Sequence, residues 1–177
     1  EELPETNNKV IVEIDPGQAF GTGGHQTTRL CLAGLDRYVE PGMLVADIGT
    51  GSGILAIAAA KLGAAKVHAT DIDSLPRKIA RENVKLNHLE GTVIIHEMDE
   101  FPVAAVDCDL VVANIIAMTI IELTPDIYGM IIPGGLFISS GIVDERCDEV
   151  CTALTEHGFT ILEIMEEEIW RAIVARK

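Results

Sequence analysis

The residues best suited to chemistry are Asp47, Gly49, Gly51 and Gly53 in the stretch Leu44-Val45-Ala46-Asp47-Ile48-Gly49-Thr50-Gly51-Ser52-Gly53, together with Asp71 at the end of Val67-His68-Ala69-Thr70-Asp71. An apolar run that meets an acidic residue and then breaks into alternating glycines ahead of an alanine-rich segment lets backbone N–H groups approach a ligand at a helix N-terminus. The second apolar run delivers Asp71 to the same sheet edge, where its carboxylate can accept hydrogen bonds from both hydroxyls of a ribose. The pattern asks for a nucleotide-bearing cofactor.

Two cofactor chemistries match it. Gly51-x-Gly53-x-x-Ala56 satisfies the dinucleotide fingerprint with alanine in the last place, which points to NAD. Asp47 argues the other way, because an anionic side chain beside a pyrophosphate would be repelled. S-adenosylmethionine has no phosphate and carries a sulfonium and an ammonium, so a carboxylate at the loop entrance attracts it directly or through the loop amides. The residues favour S-adenosylmethionine, with NAD as the alternative.

These groups need an alternating α/β framework to bring them to one edge. Apolar runs predict strands at 44–48, 67–71, 92–96, 109–113 and 135–140, and helical periodicity predicts helices near 53–62, 74–87, 118–129 and 144–157. Unbroken runs such as Leu110-Val111-Val112-Ala113 indicate parallel strands covered on both faces. Upstream, Lys9 to Ile14 alternates as a short strand, and Asp15-Pro16-Gly17 turns it into the polar loop Phe20-Gly21-Thr22-Gly23-Gly24-His25-Gln26-Thr27-Thr28, after which a helix is expected. At the other end, Phe159 to Met165 and Ile169 to Ala175 read as two strands, with the acidic run Glu163 to Glu168 as a solvated turn. An antiparallel ending of this kind is not that of an ordinary dinucleotide domain.

With 177 residues and 48% apolar content, the chain suits one α/β domain. We expect that domain over 9–177, with the polar, aperiodic residues 1–8 as the remnant of an inter-domain linker. Thirteen Lys plus Arg against 28 Asp plus Glu give a net charge of −15, which opposes direct binding to nucleic-acid phosphates. No apolar stretch is long enough to span a bilayer, and Glu1-Glu2-Leu3-Pro4-Glu5 lacks the features of a secretion signal, so no membrane association and a cytoplasmic location are expected. The cysteines at 31, 108, 147 and 151 form neither a zinc pattern nor a disulfide framework, and no metal is expected. Cys147, Val150, Cys151 and Leu154 share one helical face and read as core.

In this order the pieces resemble the class I S-adenosylmethionine-dependent methyltransferases, and within them the catalytic domain of the PrmA family, which methylates a large-subunit ribosomal protein. Three stretches carry the resemblance: Asp15-Pro16-Gly17-Gln18-Ala19-Phe20-Gly21-Thr22-Gly23-Gly24-His25-Gln26-Thr27-Thr28, then Asp47 to Ala59, then Val111-Val112-Ala113-Asn114-Ile115. It runs from about Val10 to the C-terminus. The implied fold is a three-layer Rossmann-like sandwich whose mostly parallel sheet carries a C-terminal antiparallel strand. The implied activity is N-methylation of lysine side chains or an α-amino group, with S-adenosyl-L-methionine consumed and S-adenosyl-L-homocysteine released. Relatives are expected to carry a further N-terminal substrate-recognition domain.

By the same resemblance, Thr28, Gly49, Asp71 and Asn114 contact the cofactor. Gly49 and Gly51 let the backbone reach the methionine moiety, Asp71 holds the ribose, and Thr28 adds a hydroxyl from the loop over the cofactor. Phe20 packs nearby, and Asp99 stands where such enzymes place an acid against adenine. Asn114, at a strand end, lies near the transferred methyl group and orients the attacking amine. The following Ile115-Ile116-Ala117 departs from the Pro-Pro-Tyr of many amino-methyltransferases but agrees with the PrmA pattern. His25 reads as a structural hydrogen-bond partner rather than a base, Asp73 as a cap of the helix near Ser74, and Trp170 as a strand residue packed on the sheet. The alternatives are a methyltransferase for another protein or a small amine, a nicotinamide-dependent oxidoreductase, and a non-catalytic S-adenosylmethionine-binding module. The oxidoreductase is disfavoured by Asp47, by the C-terminal hairpin and by the lack of an evident Ser/Tyr/Lys or His/Asp proton relay.

Overall fold

The computed structural model describes residues 10–15, 23–97 and 107–177. After helix α1 (Gln26–Tyr38), strand and helix alternate as β1 (Leu44–Ile48), α2 (Ile54–Lys61), β2 (Lys66–Thr70), α3 (Ser74–Leu86) and β3 (Val93–Ile95). They continue as β4 (Cys108–Asn114), α4 (Ala117–Met130), β5 (Ile131–Val143), α5 (Cys147–Glu156), β6 (Thr160–Glu167) and β7 (Trp170–Arg176). The strands form one sheet in the order β3-β2-β1-β4-β5-β7-β6. The first five are parallel, whereas β7 runs antiparallel to both β5 and β6. Chain order reverses between β1 and β4, and an open α/β sheet leaves a ligand crevice at that switch point.

Each sheet face is sealed by its own apolar cluster. Leu35, Ile57, Val67, Val84 and Ile138 join α1, α2 and α3 to one face, and Ile120, Ile127, Phe137, Leu154 and Ile173 join α4 and α5 to the other. The central strands β1 and β4 are buried on both faces, which is why they read as unbroken apolar runs. Cys31, Cys108 and Cys147 are buried free thiols within this packing, and Cys151 is half-buried; desolvation pushes the Cys151 thiol up to about 11.

Several sequence expectations need correction. Residues 10–14, the described part of the strand expected at Lys9 to Ile14, and the following Asp15 join no sheet. Their backbone is paired instead with α3 side chains: Glu13 N–H donates to Asn87 Oδ1 (3.1 Å) and Asp15 N–H to Asn83 Oδ1 (2.9 Å), while Asn87 Nδ2 and Asn83 Nδ2 donate back to the carbonyls of Glu13 (2.7 Å) and Asp15 (3.1 Å). Two asparagines one helical turn apart thus satisfy backbone groups that a strand partner would otherwise take. The fifth strand is longer than the expected 135–140: Ile131 at its start pairs with Cys108 of β4, and Ile142 and Val143 continue past β4 alongside β7. The helix expected at 144–157 opens as a separate 3₁₀ turn, Asp144–Arg146.

The acidic run is also not a turn. Glu163 to Glu167 lie in β6, whose residues alternate in burial, and only Glu168 and Ile169 make the hairpin bend. Glu163 and Glu167 pair with Arg37 and Arg29 of α1, so part of the run fastens the edge strand to the helix, and its charges discourage edge-to-edge pairing. The linker assigned to residues 1–8, the Pro16-Gly17 turn, Phe20 and Asp99 lie outside the described residues. Among the described residues, no helix is long and apolar enough to cross a membrane.

Candidate functional site

The glycine turn leaves β1 at the switch point, pinned from beside and below. Gly49 N–H and Thr50 N–H both donate to the Thr70 carbonyl at the end of β2 (3.0 and 2.9 Å), and Gly51 N–H donates to Asp71 Oδ2 (3.0 Å). Gly49, Gly51 and Gly53 have φ of +75°, +56° and +86°, so the alternating glycines are a conformational demand of this turn. The turn feeds directly into α2 and leaves its N-terminal amides at the crevice.

Asp47 does not stand at the loop entrance as expected. It is 0% exposed, beneath the turn, with Oδ2 accepting from Thr50 Oγ1 (2.6 Å) and Ala56 N–H (3.1 Å). Its role is therefore to hold the turn onto α2. Burial pushes its carboxyl up to about 7, with the nearby Asp71 charge acting in the same direction and the Thr50 and Ala56 donors acting against it. Its Oδ1 is buried and has no hydrogen-bond partner, an unused acceptor below the turn.

Asp71 occupies the expected place at the end of β2, half-buried, with Oδ1 accepting from Asp73 N–H (3.1 Å) and Oδ2 from Gly51 N–H. Each carboxylate oxygen keeps lone pairs for a further donor. Asp73 is at the N-cap position of α3 but makes no side-chain cap hydrogen bond, contrary to the expectation; its own N–H donates to Asp71. Arg77, 8% exposed, locks the turn from behind: Nη1 donates to the carbonyls of Asp71 (2.6 Å) and Ile72 (3.0 Å), and Nη2 pairs with Glu97 (2.7 Å). Arg81 is the stronger of two guanidinium partners that hold the Glu97 carboxyl below its ordinary range.

Across the switch point, Asn114 ends β4, with Nδ2 donating to Thr28 Oγ1 at 3.4 Å. Thr28 lies in the first turns of α1, 1% exposed, rather than in a loop. The helix begins earlier than expected because His25 caps it: Nδ1 accepts from Thr27 N–H (3.3 Å) and lies 2.8 Å from Thr27 Oγ1. Trp170, at the start of β7, meets the His25 ring edge-on with centroids 5.1 Å apart. His25 makes the hydrogen bonds expected of a structural partner, and Trp170 is a strand residue as expected, with its ring against His25.

Sequence reading missed Asn83, whose Nδ2 donates to the Ser52 carbonyl (2.8 Å) while its amide also grips Asp15, so one side chain joins two of the motifs. A polar, helix-neutral residue in the interior of an amphipathic helix was the available signal. It also missed Arg77, which turns back onto the carbonyls of Asp71 and Ile72, and Ile115, whose contacts at Gly49 and Gly141 lie far away in the chain. Among the described residues, no group of three or more His, Cys, Asp or Glu could hold a metal ion.

The geometry thus brings the glycine turn, the Asp71 carboxylate and the Asn114 carboxamide to the switch point, with Asp47 buried beneath the turn. The family model described as "Ribosomal protein L11 methyltransferase (PrmA)" matches residues 1–177. The chain belongs to this methyltransferase family. Among PrmA-family relatives, the ribosomal protein L11 methyltransferase of Carboxydothermus hydrogenoformans is 50% identical over 178 residues, covering 100% of the chain and 58% of that protein. That of Caldicellulosiruptor saccharolyticus is 46% identical, with 100% and 58% covered. The chain therefore spans 58% of the length of these PrmA-family proteins. The crystal structure of a ribosomal protein L11 methylase from Lactobacillus delbrueckii subsp. bulgaricus superposes with a TM-score of 0.91 at 37% identity, covering 100% of this chain and 91% of that one. A precorrin-6y C5,15-methyltransferase from Geobacter metallireducens, 18% identical with a TM-score of 0.71 over 87% of this chain and 90% of its own, shares the fold.

Proposed function

We propose that this chain is the catalytic part of an S-adenosylmethionine-dependent protein N-methyltransferase whose acceptor is a large-subunit ribosomal protein, ribosomal protein L11. The observation that carries the reading is the meeting of Asp71, the glycine turn and the Asn114–Thr28 pair at the one switch point of a PrmA-family domain. The residues present suit the cofactor. The glycine turn itself brings backbone rather than side chains to the crevice, Asp71 keeps lone pairs for a further donor, and the nearby Arg77 is committed to carbonyls and Glu97 rather than to a phosphate.

When bound, the sulfonium supplies an activated methyl group. Gly49 and Gly51 let the backbone approach the methionine portion, and Asp71 accepts from the ribose hydroxyls. Phe20 and Asp99 belong to the same binding surface in this reading, as an aromatic wall and an acceptor for the adenine amino group. Asn114 accepts an N–H bond from the acceptor amine through its carboxamide oxygen while Thr28 holds its nitrogen. The work of the protein is then positioning and exclusion of water, for which no covalent intermediate is required. Acceptor selection falls to a further domain of the longer relatives, and the reaction belongs to the cytoplasm, without direct contact to nucleic acid.

Isothermal titration with S-adenosylmethionine, S-adenosylhomocysteine and NAD tests this reading. Binding of both sulfur compounds and not NAD, weakened in Asp71→Ala and Asn114→Ala, together with transfer of labelled methyl to ribosomal protein L11, supports it. NAD binding alone overturns it.

A further inference from the structure

The backbone ladder between β1 and β4 ends at Ile48↔Ala113. Beyond that pair the two chains part: Gly49 turns toward Thr70 of β2, while Asn114 continues in register with Ser140 of β5. The cofactor side and the acceptor side of the site are therefore not hydrogen-bonded to each other where they face. Ile115, the residue after Asn114, lies between Gly49 and Gly141. Its N–H donates to the Ser140 carbonyl (3.0 Å), and its backbone lies directly against Gly141, at the irregularity in the β5–β7 pairing. Gly141 has φ +89°, and a β-carbon there would fall 2.2 Å from the Ile115 carbonyl oxygen and 2.8 Å from its carbonyl carbon. On the opposite side, a β-carbon at Gly49 would fall 2.5 Å from Ile115 Cγ2.

We infer that Ile115 is a positioning residue that sets the separation between the glycine turn and Asn114. Its peptide is seated on Gly141, and its β-branch methyl abuts Gly49. The inference rests on the methyl-transfer reading of the site, because the separation it fixes is the one between cofactor and acceptor amine. The glycines at 49 and 141 then have a shared purpose, since each removes a side chain from the place that one half of Ile115 occupies.

The decisive feature is branching at Cβ, not apolar volume. Ile115→Val keeps both γ carbons and loses only the δ methyl, whereas Ile115→Leu keeps every carbon but moves the branch away from Gly49. In the full chain, Ile115→Val is expected to keep kcat for ribosomal protein L11 and affinity for S-adenosylhomocysteine within about twofold, while Ile115→Leu loses about tenfold in kcat, as a sub-ångström misplacement does. Both are expected to melt at similar temperatures. A simple apolar filler would give the reverse order, with Leu ahead of Val; that order, or equal behaviour, overturns the inference. Crystal structures of the two variants test the spacing without activity: Ile115→Leu is expected to change the Gly49–Asn114 separation by about 0.5 Å, the tolerance of a preorganised site, and Ile115→Val to leave it unchanged. An unchanged separation in Ile115→Leu overturns the inference, whereas a parent chain that binds no S-adenosylhomocysteine overturns the proposed function alone.

Discussion

Asn83 pairs with the backbone of Asp15 in both directions, accepting from its N–H at 2.9 Å and donating to its carbonyl at 3.1 Å, from a position 68 residues away in the chain. The same amide donates to Ser52 in the glycine turn. The segment that leads into the Pro16-Gly17 motif is thereby indexed to the turn through a single helical side chain, 1% exposed.

Removing that amide breaks its hydrogen bonds to the Asp15 backbone and the Ser52 carbonyl together. Asn83→Ala is expected to cost about 1–3 kcal/mol, from the loss of several buried hydrogen bonds at once. Urea denaturation measures the cost, and hydrogen exchange should show amide protection lost at Asp15 and Glu13 first. Full protection of Asp15 in the variant would contradict the indexing role.

Asp47 makes stability depend on pH. Its folded carboxyl is raised by burial to about 7 from an ordinary value of 3.8, so between these values the folded chain holds a proton that the unfolded chain has released. The contribution is fully present below the lower value and is lost as pH rises through the upper one. The melting temperature of the parent chain should therefore decline relative to that of Asp47→Asn between pH of about 4 and about 7, as followed by calorimetry. Parallel curves would show that Asp47 titrates normally.

Arg77 keeps the Asp71 turn in place through a fork in which Nη1 donates to two carbonyls while Nη2 pairs with Glu97. Arg77→Lys retains the charge and loses the fork, so it should weaken S-adenosylhomocysteine nearly as much as Arg77→Met, by about three- to tenfold. Rescue by lysine would reduce the role of Arg77 to charge. By contrast, Asp71→Ala removes a charged acceptor outright and should weaken binding by about ten- to a hundredfold.

Gly141→Ala combines a left-handed φ with contact against the Ile115 backbone, which cannot move aside as a side-chain end would. A loss of about 2–3 kcal/mol in urea denaturation is expected, with the apolar core intact by near-ultraviolet circular dichroism. A loss below that range would mean that β5 relaxes around the added methyl group.

Much of the architecture was legible in local pattern. Leu44–Ile48 and Cys108–Asn114 are buried on both faces and therefore read as apolar runs, and the glycines after Asp47 mark a turn whose φ values few other residues tolerate. Residues 10–15 misled because they alternate like a strand while their partners are asparagine side chains. The glutamates from 163 to 167 misled because an acidic run resembles solvent-facing turn, yet two of them answer arginines in α1, more than a hundred residues earlier.

The sequence by itself determined which residue types meet at the ends of β1, β2 and β4, because the spacing of apolar runs, glycines and carboxylates is local information. Tertiary structure alone decided the environment of each: that Asp47 is sealed under the turn instead of facing the crevice, that Thr28 meets Asn114, and that Ile115 is seated between Gly49 and Gly141. The physical reason is that burial and hydrogen-bond partnership depend on strand order. Only after β4 has inserted beside β1, and the two chains have parted past Ile48 and Ala113, do these distant residues share one space.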